Sequence, residues 1–203
     1  MKMFSLIIAT GNAHKAEEFG RMFDAAGLKI AVHSAKLVGG MPAVDENSGT
    51  FAGNAMLKAR ALRALAGPEH WVLSDDSGLE CDALGGMPGV DTAVYAGPKA
   101  TNEENRAKLL AAMAGVPAGE RTGRFVCHLV LLGPAGEVFE FTGECPGAIA
   151  LAESGGGGFG YDCLFVPAGH DRTFAEIEPG VKDAISHRAK AFVKLAGHLG
   201  RFV

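Results

Sequence analysis

The sequence opens with an apolar run, followed by a polar turn and by apolar residues at helical spacing. This order limits the fold more than any other feature. Residues 4–9 (FSLIIA) have the length and apolarity of a buried strand, and residues 10–12 (TGN) follow at once. Phe19 and Phe23 then lie one helical turn apart, and Gly27 is suited to end a helix. A buried strand that leads through a tight turn into a helix is typical of α/β folds.

The same alternation continues along the chain and then gives way to a hairpin. The periodicities predict helices over residues 48–66, 101–115 and 186–199, and strands over residues 71–73, 125–132, 138–142 and 159–166. Thr101 and Glu104 form a capping box at the start of the second of these helices. Glycine and proline are frequent in residues 83–98, a long connection that we expect to be functional. The pattern predicts an α/β fold with a mixed twisted sheet flanked by helices, within a single domain of residues 1–203.

Composition excludes several classes of protein. With 203 residues, 48% of them hydrophobic, the chain can bury a substantial core. The net charge of −4 offers no basic excess for a nucleic-acid backbone, so a free nucleotide is easier to accommodate. The four cysteines show no metal-site or redox spacing, which favours reduced core thiols. No apolar run approaches the roughly 20 residues that cross a bilayer, so we expect a cytoplasmic protein with no membrane segment.

Cations stand at two predicted helix starts, where the helix dipole disfavours them. Lys15 falls in the first turn of the first helix, and His187 and Arg188 follow Ser186 at the start of the last, with Lys182 just upstream. The free backbone N–H groups of a helix start bind anions, and a bound anion would offset the unfavourable position of each cation. The pattern indicates a shared polyanion; the alternative at each helix is a solvated side chain.

Two adjacent carboxylates, Asp75 and Asp76, follow an apolar run. Their proximity would raise at least one pKa unless a cation or backbone donors compensate. Mg²⁺ prefers one or two carboxylates together with phosphate oxygens and water, and the acidic pair of Asp45 and Glu46 offers another ligand. The alternative is that both aspartates cap a turn with residues 77–78.

A glycine-rich segment precedes two aromatic residues. Three glycines of residues 155–160 match the G-x-G-x-x-G spacing, but the sequence after them predicts a strand, so the dinucleotide-binding motif lacks its helix. No Gly-Lys dipeptide occurs, which excludes a P-loop. We interpret the segment as a flexible loop in which Phe159 and Tyr161 stack on a base and Asp162 accepts a hydrogen bond. The alternative is a turn with two core aromatics.

Five segments, in order, resemble the inosine triphosphate pyrophosphatases, also called dITP/XTP pyrophosphatases. They are ATGNAHKAEEF, ENSGTFAGNAMLKARA, LSDDSGLECDALGGMPGV, GGFGYD, and TFAEI through KDAISHRAKA, and together they extend over nearly the whole chain. The resemblance implies hydrolysis of the deaminated purine nucleotides dITP, ITP and XTP to the monophosphate and pyrophosphate, with Mg²⁺ as cofactor. It also implies two lobes with an active-site cleft between them, and a homodimer.

The resemblance assigns roles to individual residues. Asp76 matches the proton acceptor and, with Glu46, the magnesium ligands, while Lys58 matches a lysine near the phosphates that we include among the catalytic residues. The residues that match substrate contacts are Thr10, Gly11, Asn12, Ala13, His14, Lys15, Ser77, Phe159, Gly160, Tyr161, Asp162, Lys182, His187 and Arg188. Within this set, residues 10–15 match the triphosphate-binding turn and residues 159–162 the base-side loop.

The chain departs from the family pattern at two positions. Val94 stands where the family commonly has an arginine, so a phosphate or dimer contact from that side chain is missing, and Cys163 replaces a usual proline. Three other functions stay open: a pyrophosphatase for modified pyrimidines or other damaged nucleotides, a non-catalytic nucleotide-binding module, and a Rossmann oxidoreductase. The misplaced glycine motif disfavours the oxidoreductase, and the acidic residues disfavour the binding module.

Overall fold

The computed structural model describes residues 4–201, which form six β-strands and five α-helices. The strands are β1 (Phe4–Ala9), β2 (Ile30–Ser34), β3 (His70–Cys81), β4 (Thr122–Leu132), β5 (Val138–Ile149) and β6 (Phe165–Pro167). The helices are α1 (Ala13–Ala26), α2 (Phe51–Arg63), α3 (Asn102–Ala112), α4 (Pro179–Ile185) and α5 (His187–Leu199).

The six strands form one mixed sheet in the order β2-β1-β3-β4-β5-β6. β1 is parallel to both of its neighbours, with Ile7 opposite His33 of β2 and Val72 of β3. β6 is antiparallel to the end of β5, where Ile149 lies opposite Phe165. The predicted α/β class with a mixed sheet and flanking helices is therefore confirmed.

The strand, turn and helix predicted at the start of the chain are present. Asn12 caps α1, because its side-chain oxygen accepts a hydrogen bond from the backbone N–H of Lys15 at 3.3 Å. Gly27 ends the helix with a φ of 60°, a left-handed conformation that glycine adopts without strain. The turn between β1 and α1 therefore presents the first N–H groups of the helix directly after the carboxyl end of the strand.

Two compact units can be distinguished along the chain, and the first consists of the residues up to Asp76, Cys127–Gly143 and the residues from Ala189 onward. The side chains of β1 alternate between two parts of its core, as a strand buried on both faces requires. Leu6 and Ile8 pack in one part with residues of α1 and α5, and Ile7 packs in the other with residues of α2.

The second unit consists of Ser77–Val126 and Glu144–Arg188. Aromatic rings organise its core: the ring centroid of Phe165 lies 4.7 Å from that of Phe125 and 5.3 Å from that of Phe174. Asn102–Ala112, the helix α3, starts with the predicted capping box of Thr101 and Glu104 and adds Leu109 to this core.

The strand β3 continues past the acidic pair, where the sequence indicated an end. Because His70–Cys81 is one strand, the alternative in which Asp75 and Asp76 cap a turn with residues 77–78 is wrong. Leu79 is fully buried in the core of the second unit. The burial of this apolar side chain outweighs the turn preference of the serine and glycine before it.

The end of the chain differs more from prediction. The strand predicted over residues 159–166 is wrong for most of its length, because tight turns precede the short strand Phe165–Pro167. Gly160 has a φ of 61°, and the N–H of Asp162 donates to the carbonyl of Phe159. The helix α4 has no counterpart among the predicted helices, since its 7 residues are too few to show a helical period.

The four cysteines are thiols and not disulfides, as predicted, and three of them are buried. Among the helices in residues 4–201, none combines the length and the apolarity that a membrane span requires.

Candidate active site

Asp75 and Asp76 are neighbours in the middle of β3, yet their carboxylates have different partners. Oδ1 of Asp75 accepts a hydrogen bond from Nζ of Lys15 at 2.5 Å, and Oδ2 accepts one from Sγ of Cys127, on β4, at 3.4 Å. Oδ1 of Asp76 accepts one from Nζ of Lys58, on α2, at 2.6 Å. Successive side chains of a strand point to opposite faces, so each carboxylate meets the cation of a different helix.

The carboxyl group of Asp76 has the electrostatics of a reactive group. Burial raises its pKa to about 6, although Lys58 and Lys15 act to lower it. Its Oδ2 is buried and accepts no hydrogen bond within the described part of the chain. A buried carboxylate oxygen without a donor is suited to a metal ion or to a donor from a ligand.

Lys58 links the two carboxylates that the sequence predicts as magnesium ligands. Its Nζ lies 2.9 Å from Oε2 of Glu46 and 2.6 Å from Oδ1 of Asp76. Burial acts to lower the pKa of Lys58, but Asp76, Asp75 and Glu46 together outweigh this effect and raise it. The ammonium group therefore stays charged while it is largely removed from water.

The segment that carries Glu46 is fixed to α2 by a buried asparagine. Oδ1 of Asn54 accepts hydrogen bonds from the backbone N–H of Ser48 at 3.2 Å and from its hydroxyl at 2.8 Å. Oγ1 of Thr50 accepts one from the N–H of Gly53 and caps the helix. Asn54 is only 1% exposed, so the acceptor that holds the chain next to Glu46 is itself shielded from water.

The carboxylates fit a magnesium ion that is completed by a substrate. Within residues 4–201, no three His, Cys, Asp or Glu side chains are grouped so that they could hold a metal ion. Mg²⁺ does not need such a group, because it commonly takes one or two carboxylates and completes its shell with water and phosphate oxygens. Asp76 offers its buried Oδ2, and the half-exposed Glu46 is accessible as a second ligand.

The turn between β1 and α1 offers donors to an anion. The N–H of Asn12 donates to Oγ1 of Thr10 at 3.1 Å, which shapes the turn, and residues 11–14 are exposed. The first turn of α1 contains no acidic residue that would repel an anion. The side chain of Lys15 is 14% exposed, so its charge is partly buried beside these backbone donors.

A second group of predicted residues lies in the second unit, around Lys182. Nζ of this buried lysine is 2.7 Å from Oδ2 of Asp162 and 5.0 Å from the centre of the Phe159 ring. The same oxygen of Asp162 accepts a hydrogen bond from the N–H of Phe159 at 2.8 Å. Asp162 thus organises the predicted base-side loop from inside.

The two aromatic residues of this loop have different environments. Tyr161 is 3% exposed, and its hydroxyl donates to the carbonyl of Thr92 at 3.0 Å. Burial raises the pKa of this hydroxyl, so it remains a neutral donor. The tyrosine ring is therefore part of the core, as in the alternative interpretation, and Phe159 is the half-buried aromatic of the pair.

The start of α5 brings two predicted residues into buried positions. The ring of His187 stacks on that of Phe125, with centroids 4.8 Å apart and an angle of 15° between the planes. Arg188 is 1% exposed, and its Nη2 donates to Oγ of Ser77 at 2.9 Å. A planar guanidinium held in this way is fixed in direction as well as charged.

The structure thus brings the predicted residues together in two groups, each within its own unit. The first contains Lys15, Glu46, Lys58 and Asp76, and the second contains Ser77, Phe159, Asp162, Lys182, His187 and Arg188. Sequence reasoning missed three supporting residues: Asn54, Cys127 and Phe125. Only Asn54 had a detectable signal, since a polar residue beside the apolar stripe of a predicted helix suggests a buried contact.

Comparison with known proteins gives a consistent result. The profile of the Ham1 family matches residues 6–198. A dITP/XTP pyrophosphatase from Opitutus terrae is 48% identical over 94% of this chain and 96% of that protein. A dITP/XTP pyrophosphatase from Geobacillus kaustophilus is 45% identical over 95% of this chain and 93% of that protein. The solved structure of a HAM1 protein from Coxiella burnetii, 33% identical, superposes with a TM-score of 0.87 and covers 98% of this chain and all of that one.

Proposed function

The chain belongs to the Ham1 family, and from this premise we infer that it is a nucleoside triphosphate pyrophosphatase. It hydrolyses deaminated purine nucleotides, dITP, XTP and ITP, to the monophosphate and pyrophosphate. The predicted resemblance is thereby confirmed by relatives that carry the name dITP/XTP pyrophosphatase. The observation that carries the proposal is the buried carboxylate of Asp76, which has an unpaired oxygen and lies beside a charged lysine.

The first group of residues is assigned to the triphosphate. Lys15 and the N–H groups at the start of α1 bind phosphate oxygens, and Lys58 adds a second buried cation. These donors are fixed before the reaction, so they can stabilise the charge that develops on the phosphate oxygens at no cost in reorganisation. The two lysines offer local positive charge to a triphosphate, although the chain as a whole has a net charge of −4.

Asp76 is assigned to the proton of the attacking water. As the water oxygen bonds to the α-phosphorus, the bond from that phosphorus to the bridging oxygen breaks, and pyrophosphate leaves with its electron pair. Asp76, with a pKa raised to about 6, takes the water proton. Asp76 and Glu46 would hold a magnesium ion, which would supply charge neutralisation at the phosphates.

The second group is assigned to the base. Phe159 is half-buried and presents an aromatic face, while Arg188 and His187 lie at the start of α5 with N–H donors. Hypoxanthine and xanthine carry an oxygen acceptor at the position where adenine carries an amino donor. A site built from donors favours the 6-oxo bases and rejects adenine, because mismatched polar groups would remain unpaired.

A substrate panel tests the proposed function. We expect magnesium-dependent release of pyrophosphate from dITP, ITP and XTP at least about a hundredfold faster, in kcat/KM, than from ATP. Equal rates with ITP and ATP would contradict the assignment of the base, and a preference for dUTP would indicate a pyrimidine-directed pyrophosphatase. Stoichiometric binding of dITP with no product would indicate a binding module.

The resemblance also motivates two further proposals, that the chain forms a homodimer and that it is located in the cytoplasm. A homodimer would appear as twice the chain mass in sedimentation equilibrium, and a monomer at micromolar concentration would contradict it. Localisation of a tagged chain in intact cells tests the second proposal.

A further inference from the structure

Asp75 has no role in the assignments above, although it is the more deeply buried of the two aspartates. Its side chain is 0% exposed, against 10% for Asp76. A buried carboxylate is costly unless cations and donors surround it. The partners of Asp75 therefore bear on its role.

Each oxygen of Asp75 is engaged by a different element. Oδ1 accepts from Nζ of Lys15 on α1, and Oδ2 accepts from the thiol of Cys127 on β4. Cys127 is itself fully buried. The thiol is a weak donor, but in a dry site it restricts the direction of the carboxylate that it contacts. Cys127 on β4 therefore fixes the direction of the carboxylate, while the other carboxylate oxygen binds Lys15.

Lys15 needs such a partner if it is to be in place before a substrate arrives. A lysine side chain has several freely rotating bonds and loses considerable entropy when it is fixed. It also stands in the first turn of α1, where the helix dipole repels it and where the turn itself contains no acidic residue. Asp75 provides the anion from a strand that lies 60 residues further along the chain.

We propose that Asp75 is a positioning residue for Lys15, and that Cys127 in turn directs Asp75. Asp75 contacts neither substrate nor metal; it holds the ammonium group of Lys15 beside the N–H groups of α1, so that the triphosphate meets a fixed cation. The inference rests on the proposed function, since it assigns to Lys15 a phosphate contact in that reaction.

A double-mutant cycle between Asp75 and Lys15 tests the proposal. In the wild-type background, Asp75→Asn should lower kcat/KM for dITP by about tenfold to a hundredfold, the value of a charged hydrogen bond. In the Lys15→Met background, the same substitution should change kcat/KM by less than about twofold, because the residue through which it acts is gone. Equal losses in both backgrounds would show that Asp75 acts by another route and would overturn the proposal.

Stability provides an independent readout. Lys15→Met leaves the buried carboxylate of Asp75 without its cation, so adding Asp75→Asn should raise the melting temperature of the Lys15→Met protein. An unchanged or lower melting temperature in the double variant would contradict the ion pair on which the inference depends.

Cys127 keeps the test decisive if Asp75→Asn alone folds poorly. Cys127→Ala should lower kcat/KM several-fold in the wild-type background and have no effect with Lys15→Met, and Cys127→Ser, which retains a donor, should restore most of the loss. Cys145→Ala, at a buried cysteine of the second unit, is the matched control. If the wild-type protein releases no pyrophosphate from dITP, the proposed function fails; if it does but the cycle is additive, only the positioning role fails.

Discussion

The carboxyl group of Asp76 is buried, and burial disfavours its ionised form. Water stabilises a carboxylate more than the two neighbouring lysines do here, and this imbalance raises the pKa of Asp76 to about 6. Asp75, one residue earlier, is enclosed by Lys15 and Cys127. The two adjacent aspartates therefore have different surroundings, as the proposed reactive role of Asp76 and positioning role of Asp75 require.

Removing the charge of Asp76 should abolish most of the activity. We expect Asp76→Asn to lower kcat for dITP by at least about a hundredfold, because the amide neither accepts the proton nor binds magnesium as a carboxylate does. Steady-state kinetics at saturating Mg²⁺ would measure the loss. Asp24→Asn, at an exposed carboxylate near the end of α1, is the control and should stay within about twofold of wild type.

The stability of the magnesium-free protein should also report on Asp76. Because its folded pKa of about 6 exceeds the ordinary carboxyl pKa of 3.8, the folded protein holds the proton more tightly than the unfolded chain. The resulting stabilisation is complete below pH 3.8 and is lost as the pH rises through 6, by about 3 kcal/mol in total.

Urea unfolding of the wild type and of Asp76→Asn between pH 4 and 7 would measure this effect. The free energy of unfolding of the wild type should fall relative to that of the variant as the pH rises. A difference that does not change with pH would show that the pKa is not raised.

At the scale of elements, the start of α2 is built to present Glu46. The cap by Thr50 and the two hydrogen bonds to Asn54 fix the chain between Glu46 and the helix. Lys58 lies about two turns further along the same helix and reaches back to Glu46. One helix thus supplies a cation and also positions a predicted metal ligand.

Loosening this segment should weaken magnesium binding more than folding. We expect Asn54→Ala to raise the magnesium concentration for half-maximal activity by about tenfold, as loss of a supporting contact commonly does. Titration of activity with Mg²⁺ would measure it, with the exposed Asn47→Ala as the matched control. If both variants behave alike, the clamp on Ser48 does not position Glu46.

At the scale of the whole molecule, stability depends in part on buried side chains that bind backbone carbonyls at the ends of helices and strands. In the second unit, Arg121 is 2% exposed and donates to three backbone carbonyls, those of Met113, Ile149 and Ala150. The guanidinium therefore joins the end of α3 to the end of β5 through three separate carbonyls. Its loss would remove one donor from each of these three carbonyls.

Arg121→Met should lower the free energy of unfolding by about 3 kcal/mol. Arg124→Met, in the strand β4 that follows Arg121, removes a half-exposed side chain that contacts Glu80 and should cost less than about 1 kcal/mol. Chemical denaturation of both variants would compare them. Equal costs would mean that the carbonyl contacts of Arg121 add nothing beyond ordinary packing.

Local signals in the sequence determined much of the fold. The apolar run of β1, the Gly27 stop of α1 and the Thr101 capping box each act over a few residues, and each was predicted. The path of β3 beyond Asp76 could not be predicted, because the burial that extends it comes from partners far away in sequence.

For the candidate site, too, some features follow from the sequence and others only from the tertiary structure. The sequence by itself determined which carboxylates, lysines and aromatic residues are available, since their types and order match a family pattern. Only the tertiary structure decided that Lys15 pairs with Asp75 and Lys58 with Asp76, and that Tyr161 belongs to the core. These pairings join residues up to 69 positions apart, and the register of the strands and the helix packing, which no local pattern encodes, set their distances.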